Sequence, residues 1–425
     1  MSLLGDPMPR AENLLEAYNN LYAEPLREGQ EFREFYVERP LGAISPMDEL
    51  KDRIEISNKK EKYLFFGFKG CGKSTELNRL EASLDRERFL VVNYSVKEDL
   101  NVSDFDFRDF FVSMALKIYD AAKKGGACLH PDIETDFKEF LKRITRIQEE
   151  ETTSQASAGL SWSRIVMLKL SREAKTREYV RKELDLKISD LIQRLNWLII
   201  DSEETLGKQI VVIVDDLDKL ARGQQSEDFF YKNYQLLLQP NCYVIYTFPI
   251  HLAFNPIFEN VKSYFNGFFI LLQLPVKDRR GEIISENLQF YREVIARRMN
   301  IDLLEEGTLQ KVIESTGKLS EMVEVMKEAA LKAFRMERER ISPDDVERSL
   351  EKLRMIYDMS LTEAHKEKLI EIHNSGEARD KDPDSSLIRE LLFSLIAVEY
   401  RHQGERWCVV DPLLLPLVER WIRSQ

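Results

Sequence analysis

The chain has 425 residues and a formal net charge of −12, from 62 basic and 74 acidic residues. Hydrophobic residues make up 43% and charged residues 32%, which is typical of folded proteins and excludes a disordered chain. No apolar run approaches the roughly 18 residues that span a membrane, and the first ten residues lack the pattern of a secretory signal. Four scattered cysteines exclude a CxxC metal site. We therefore expect a cytoplasmic protein of two or three domains, at about 150 residues each.

Strands and helices are predicted to alternate through residues 63–275. Residues 1–62 form an N-terminal segment with a predicted helix at 11–23 and a polar connection. Short apolar runs then predict five strands, at residues 63–66, 89–92, 210–214, 243–247 and 268–274. Because amphipathic helices separate these runs, the pattern indicates a parallel sheet that is covered on both faces.

A long insertion, residues 101–207, separates the second and third strands. Residues 160–170 are unusually apolar and are predicted to form a hairpin or a short strand pair. Residues 171–200 are predicted to form one long amphipathic helix. The apolar segment, with Trp162 and Met167, has two interpretations: it packs inside the insertion, or it binds a partner.

The strands stop after Pro275. Residues 276–372 predict a series of helices, and the polar residues 373–385 predict a linker. Residues 386–425 form a small unit, with a helix at 386–398, a turn at Gln403 and Gly404, a strand at 407–410 and a final helix.

Residues 67–75 read Gly-Phe-Lys-Gly-Cys-Gly-Lys-Ser-Thr and fit the pattern GxxxxGK[ST]. The glycines allow backbone N–H groups to turn toward phosphate oxygens, and the following helix adds its positive N-terminal end. A glycine-rich turn with a chance Lys-Ser pair is the alternative, but the strand before it and the helix after it favour a phosphate loop. We expect phosphate contacts from Gly67, Lys69, Gly70, Cys71, Gly72, Lys73, Ser74 and Thr75.

The strand at 210–214 ends in two carboxylates, Asp215 and Asp216. In a phosphate-binding enzyme, Ser74 and Asp215 would hold Mg²⁺, and Asp216 would orient or deprotonate the attacking water. The alternative, an acidic turn residue, is stronger for Asp216 than for Asp215. Thr247 ends a neighbouring strand and either holds the same water or is an ordinary strand-end residue.

These motifs resemble the additional-strand P-loop ATPases, which include initiator-type AAA+ proteins and the STAND signalling NTPases. The resemblance covers about residues 35–357 and implies an α/β parallel-sheet core (63–275), a helical lid (276–372) and a winged-helix-like module (386–425). It also implies ATP and Mg²⁺ as cofactors, with Lys73, Asp215, Asp216 and Thr247 as catalytic residues. Residues 35–40 are the segment that it implies near the adenine. The alternative is that this segment only packs the N-terminal helix onto the core.

The sequence departs from this resemblance at the expected sensor-2 arginine, since Ser320 occupies that position. Lys318 is a candidate substitute, although an ammonium cannot copy the guanidinium fork. An arginine finger is unassigned, with Arg222, Arg279 and Arg280 as candidates. The departures favour slow hydrolysis.

The first functional hypothesis is an ATPase switch that couples nucleotide state to homo-oligomer formation or to a separate effector protein, in a prokaryotic signalling or defence system. The alternative is a DNA-associated initiator-like or transposition-type ATPase. DNA is the less favoured partner because residues 386–425 contain five basic and five acidic residues. A small-molecule kinase is disfavoured, and no membrane partner is expected.

Overall fold

The computed structural model describes residues 10–27, 29–40, 45–146, 161–220, 224–253, 257–378, 387–402 and 404–424. Five strands form its main sheet, and they are β1 (Lys62–Gly67), β2 (Phe89–Ser95), β3 (Gln209–Asp215), β4 (Tyr243–Thr247) and β5 (Gly267–Leu271). Their order in the sheet is β2-β3-β4-β1-β5. Two further strands, β6 (Ala397–His402) and β7 (Glu405–Val410), pair with each other as an antiparallel hairpin.

The predicted α/β fold with a parallel sheet is confirmed. β3 pairs in parallel with β2 on one side and with β4 on the other, and β4 also pairs in parallel with β1. The Thr247 strand is therefore the neighbour of the Asp215 strand, as the sequence indicates. The five residues 210–214 are all fully buried, as expected of a strand with helices on both faces of its sheet.

Helices account for most of the remaining described residues. In chain order they are α1 (Leu14–Asn20), α2 (Gln30–Phe35), α3 (Pro46–Ile56), α4 (Lys73–Ser83), α5 (Val96–Asp99), α6 (Phe107–Lys124), α7 (Pro131–Thr145), α8 (Trp162–Arg172), α9 (Ala174–Leu184), α10 (Ile188–Leu206), α11 (Gln224–Glu227), α12 (Tyr234–Leu237), α13 (Ile250–Ala253), α14 (Ile257–Lys262), α15 (Ser285–Arg298), α16 (Thr308–Ser315), α17 (Leu319–Arg335), α18 (Pro343–Asp358), α19 (Glu363–Ser375), α20 (Leu387–Phe393) and α21 (Leu415–Ser424). A π-helical turn, Asp228–Lys232, lies between α11 and α12. Within the described ranges, no helix combines the length and the apolar character that a membrane crossing requires.

The chain divides into two compact units. One unit consists of Glu49–Phe66 and Leu80–Phe269, and it contains most of the sheet and the insertion. The other consists of Met1–Asp48, Gly67–Arg79 and Ile270–Gln425, and it contains the predicted phosphate loop and the C-terminal helices. We call them the sheet unit and the loop unit. The predicted domain bounds follow the chain order instead, and they remain predictions.

In the sheet unit, the predicted hairpin at residues 160–170 is wrong for the residues that the structure describes, 161–170. Residues 162–170 form the first nine residues of α8, with Ile165, Val166 and Leu170 buried at helical spacing. The Ser161 side chain caps this helix by accepting a hydrogen bond from the Arg164 N–H. Leu160 and the preceding polar segment lie outside the described residues.

The predicted long helix at 171–200 is also wrong, because the chain turns between α9 and α10 at residues 185–187. The turn lets both helices pack on α6 and α7. Trp162 meets the rings of Tyr119 and Phe137 edge to face, with centroids 5.3 and 6.2 Å away. Packing inside the insertion therefore accounts for the apolar character of this tryptophan.

In the loop unit, α17 packs between α1 and α18, and the C-terminal hairpin packs against α19 and α20. The predicted helix at 386–398 is shorter than expected and ends at Phe393. Leu395 adopts a left-handed conformation, with φ of 57°, which stops the helix and starts β6 two residues later. The predicted linker begins inside α19, and its residues 379–385 lie outside the described part of the chain.

Candidate functional site

The loop between β1 and α4 needs its glycines for two different reasons. A Cβ atom on Gly67 would lie 2.4 Å from the Leu271 carbonyl oxygen, which is too close for any other residue. Gly70 and Gly72 have φ of +78° and +95°, a region that residues with a side chain rarely adopt. The predicted phosphate loop thus has the backbone that its chemistry requires.

Lys73 is the first residue of α4, and its side chain folds back over the loop. Its ammonium donates hydrogen bonds to the carbonyl oxygens of Gly67 at 3.0 Å and Phe68 at 3.1 Å. The residue is only 8% exposed. Ser74 is half-buried in the next position, while the Thr75 hydroxyl accepts a hydrogen bond from the Leu26 N–H at 3.2 Å. A buried cation and a helix N-terminus therefore meet at one loop, which suits a phosphate anion.

Arg39, which the sequence analysis did not single out, forms a hydrogen bond with the backbone of this loop. Arg39 donates to the carbonyl oxygens of Cys71 at 2.5 Å and Leu272 at 3.1 Å. Its side chain is 7% exposed and lies 4.0 Å from the Glu76 carboxylate. Tyr36 also donates to Glu76, at 3.1 Å. Arg39 and Tyr36 thus link residues 35–40 to the phosphate loop and to α4. The predicted position of these residues beside the adenine remains a prediction.

In the sheet unit, three carboxylates lie together at the end of β3 and in the turn that follows it. One oxygen from each of Asp215, Asp216 and Asp218 lies within 4.8 Å of the others. Asp215 and Asp216 are 9% and 8% exposed. The backbone N–H of Asp216 donates to Asp215 Oδ1 at 2.7 Å, which fixes the first carboxylate against the turn. Carboxylate oxygens are the ligands that Mg²⁺ prefers, so this group fits the predicted metal role of Asp215.

Asp216 is held in an uncommon conformation by two neighbours. Its φ is +66°, in the left-handed region, although it is not a glycine. Ser95, which lies opposite Asp215 in the pairing of β2 with β3, donates its hydroxyl hydrogen to Asp216 Oδ2 at 2.5 Å. Lys219 forms an ion pair with the other oxygen. Ser95 and Lys219 are thus functional candidates that the sequence reasoning missed, although Ser95 has the signal that drew attention to Thr247, a polar residue at a strand end.

The Thr247 hydroxyl both donates and accepts a hydrogen bond. The hydroxyl donates to the Val214 carbonyl oxygen at 3.1 Å and accepts from the Leu217 N–H at 2.9 Å. Thr247 is fully buried. These bonds make it a positioning residue for the turn that carries Asp216. Its predicted hold on a water molecule remains a prediction.

The carboxyl ends of β1, β3 and β4 share one edge of the parallel sheet. Phe65 pairs with Thr247, and Val214 pairs with Tyr246. The phosphate loop begins at Gly67, at the end of β1. Within the sheet unit, Asp215 and Thr247 therefore end their strands at one edge of the sheet.

Lys318, the candidate substitute for the sensor-2 arginine, is buried in a group of charged side chains. Its ammonium lies 2.5 Å from Glu321 Oε1 and 3.0 Å from Asp411 Oδ2. Burial opposes the charge of Lys318, but Asp411 and Glu321 outweigh it and raise the pKa of the ammonium above its ordinary value. Burial raises the pKa of Asp411 to about 6, although Lys318 acts in the opposite direction.

Two of the three arginine-finger candidates lie within the described residues. Arg279 and Arg280 are exposed, in the segment after β5. Arg222 lies outside the described residues. The assignment of an arginine finger stays a prediction.

No protein-family model and no curated protein matches this chain. Among solved structures, a Walker-type ATPase of Pyrococcus abyssi is 14% identical, with 94% of this chain and 99% of that chain covered and a TM-score of 0.49. The ORC2 protein of Aeropyrum pernix, solved in ADPNP–ADP complexes, is 11% identical over 89% and 92% of the two chains, with a TM-score of 0.38. Cdc6p of Pyrobaculum aerophilum is 13% identical over 92% and 98%, also with a TM-score of 0.38.

The first of these solved structures is named as a Walker-type ATPase. Identities of 11–14% and TM-scores below 0.5 describe a general likeness of fold. The function proposed below therefore depends on the chain's own loop, strand order and buried charges.

Proposed function

We propose that this protein binds ATP with Mg²⁺ at residues 67–75, hydrolyses it slowly, and switches its association with copies of itself or with a separate effector. The geometry of the phosphate loop carries the proposal. Gly67 occupies a position where any side chain would clash, Gly70 and Gly72 adopt positive φ, and the Lys73 ammonium is buried over the loop. A loop of this form is suited to a polyphosphate.

The metal site in this proposal consists of the Ser74 hydroxyl and the Asp215 carboxylate. Bound Mg²⁺ would neutralise charge on the β- and γ-phosphates. Asp216 would orient the attacking water and accept its proton. Ser95 would fix the Asp216 carboxylate through the 2.5 Å hydrogen bond.

Slow turnover is supported by how the hydrolytic side chains are engaged. The two oxygens of the Asp216 carboxylate are already engaged, one by the Ser95 hydroxyl and the other by the Lys219 ammonium. Position 320 is a serine where the resemblance implies an arginine. An ATPase that holds its nucleotide for long periods suits a switch better than a motor, and a prokaryotic signalling or defence system is the setting we propose.

The direct test combines ADP formation with solution mass. The unmodified protein should form ADP, and its mass, measured by light scattering after gel filtration, should change on addition of ATP and Mg²⁺. Lys73→Ala should lose both responses, because the loop loses its buried ammonium. The matched control is Lys97→Ala, which removes an exposed lysine on α5. Equal ADP formation by the Lys73→Ala and unmodified proteins would contradict the proposal.

A DNA-associated ATPase is the second candidate, because residues 387–424 have the order helix, two-stranded hairpin and helix. Their five basic and five acidic residues leave no excess of positive charge for phosphates. Binding of duplex DNA that strengthens with ATP and weakens steeply with salt would favour this candidate. Salt-independent or absent binding would exclude it.

A further inference from the structure

A buried ionic cluster joins the start of α17 to the C-terminal module, which we define as residues 387–424. Lys318 lies at its centre, 5% exposed, and Asp411 of the module is 1% exposed. The Lys318 ammonium donates hydrogen bonds to Glu321 at 2.5 Å and to the Tyr357 hydroxyl at 3.1 Å. A fully buried lysine is uncommon unless its ammonium is paired with an acidic side chain.

The same segment of chain lies against the phosphate loop. The Ser320 N–H donates to the Gly70 carbonyl oxygen at 3.2 Å. A Cβ atom on Gly70 would lie 3.9 Å from the Lys318 Cβ and 2.1 Å from Ser320 Oγ. The stem of Lys318 therefore begins beside the loop, while its ammonium is paired with the module. A movement of Gly70 would therefore displace Ser320 and Lys318.

The three partners of Lys318 do not hold it equally. The Glu321 carboxylate and the Tyr357 hydroxyl each accept a hydrogen bond from the ammonium. Asp411 Oδ2, by contrast, has no well-aligned hydrogen-bond donor among the described residues. The other oxygen of Asp411 accepts from the Leu413 N–H at 2.9 Å. The ion pair with Lys318 thus offsets the free-energy cost of burying the negative charge of Asp411. It is also the least directional interaction of the cluster.

We propose that Asp411 and the phosphates of the nucleotide compete for the Lys318 ammonium. The inference rests on the proposed function, and it names how the nucleotide site is regulated. A lysine is a compact charge on a flexible four-carbon stem, and phosphates bound in the adjacent loop attract it away from the module. Nucleotide binding then loosens the C-terminal module, and by reciprocity a docked module weakens nucleotide binding.

The module stays attached when Lys318 leaves it, because a second buried contact holds it to α18. Arg354 donates from Nε to the Leu413 carbonyl oxygen at 2.8 Å and pairs with Glu347. Neither residue touches the phosphate loop in the described contacts. The expected change is therefore a loosening of β6, β7 and α21, not their release.

The experiment measures two quantities on the full chain. Calorimetry gives the dissociation constant for a non-hydrolysable ATP analogue with Mg²⁺, and hydrogen exchange gives the protection of residues 397–424 with and without that analogue. The variants are Asp411→Asn, which keeps the oxygen that caps Leu413, and Lys318→Met. The matched control is Asp345→Asn, which neutralises another carboxylate of 1% exposure that pairs with Arg338 in the lid.

In the unmodified protein, saturation with the analogue should increase exchange in residues 397–424. Asp411→Asn should bind the analogue about fivefold more tightly or better, within the usual range of coupling energies, and should show high exchange that the analogue no longer changes. Lys318→Met should bind it more weakly, and its exchange should not respond to the analogue. Asp345→Asn should match the unmodified protein in affinity. Should Asp411→Asn fail to fold, Tyr357→Phe, which removes one hold on Lys318, should shift affinity in the same direction.

Two results would overturn the inference alone: unchanged affinity in Asp411→Asn or Tyr357→Phe, or no response of the module to the analogue in the unmodified protein. An unmodified protein that does not bind the analogue would overturn the proposed function as well as this inference. The two failures are thus distinguishable by the first titration.

Discussion

At the scale of single residues, Gly70 is under two constraints that a substitution can separate. Gly70→Ala would place a Cβ atom 2.1 Å from Ser320 Oγ and would also strain a φ of +78°. Gly126 has a similar φ, +91°, but open space around it. Gly126→Ala should cost about 1–2 kcal/mol of unfolding free energy from backbone strain alone. Gly70→Ala should cost more and should also weaken nucleotide binding. Denaturant unfolding measures both costs, and equal values would contradict the close packing at Gly70.

Asp216 is the residue at which binding and turnover should separate. Asp216→Asn keeps the size of the side chain and removes its ability to accept a proton. We expect nucleotide affinity to change little and ADP formation to fall by about 100-fold or more, as is usual for the loss of a general base. A single-turnover measurement beside a binding titration checks this. Retained hydrolysis would mean that another group positions the water.

Residue identity alone predicted the phosphate loop, because GxxxxGK[ST] is a local pattern with a local structure. The roles of Arg39, Ser95 and Lys318 depend on partners that are distant in sequence, such as Cys71, Asp216 and Asp411. No periodicity links those positions. Side chains that act through a long-range hydrogen bond or ion pair therefore become visible only once the fold brings the two partners together.

At the scale of elements, the insertion shows where pattern reading fails. A short apolar run fits both a strand and a buried helix, and residues 160–170 were short enough to be ambiguous. The five strands of the sheet were predicted because each is a short apolar run, and glycine, proline or acidic residues follow several of these runs, as Gly67 and Asp215 do. The break between α9 and α10 was missed because the apolar spacing continues through both helices.

The helical structure of this insertion predicts which apolar side chains stabilise it. Ile165 of α8 is 1% exposed, while Leu186, between α9 and α10, is 95% exposed. Ile165→Ala should lower the unfolding free energy by about 2–4 kcal/mol through the cavity it leaves. Leu186→Ala should change it by less than about 0.5 kcal/mol. Denaturant unfolding distinguishes the two, and similar costs would contradict the helix orientation.

At the scale of the whole molecule, a buried carboxylate shapes the dependence of stability on pH. Burial raises the pKa of Asp109 from 3.8 to about 6, despite its pairing with Arg181. The folded protein therefore binds this proton more tightly than the unfolded chain. Its stabilising contribution is complete below pH 3.8 and is lost as the pH rises through about 6.

Relative to Asp109→Asn, the unmodified protein should lose unfolding free energy as the pH rises between these limits. Urea unfolding at several pH values, on both proteins, measures the difference. A difference that stays constant from about pH 3 to about pH 7, a range that includes both limits, would show that Asp109 is not the titrating group.

The account as a whole depends on nucleotide binding at the phosphate loop. The most direct measurement is a calorimetric titration of ATP with Mg²⁺ into the unmodified protein and into Lys73→Ala. We predict one saturable site per chain in the unmodified protein and a loss of affinity of at least about 100-fold in the variant, because the buried ammonium is the loop's main charge for phosphates. Equal affinity in the two proteins, or no binding in either, would contradict the account.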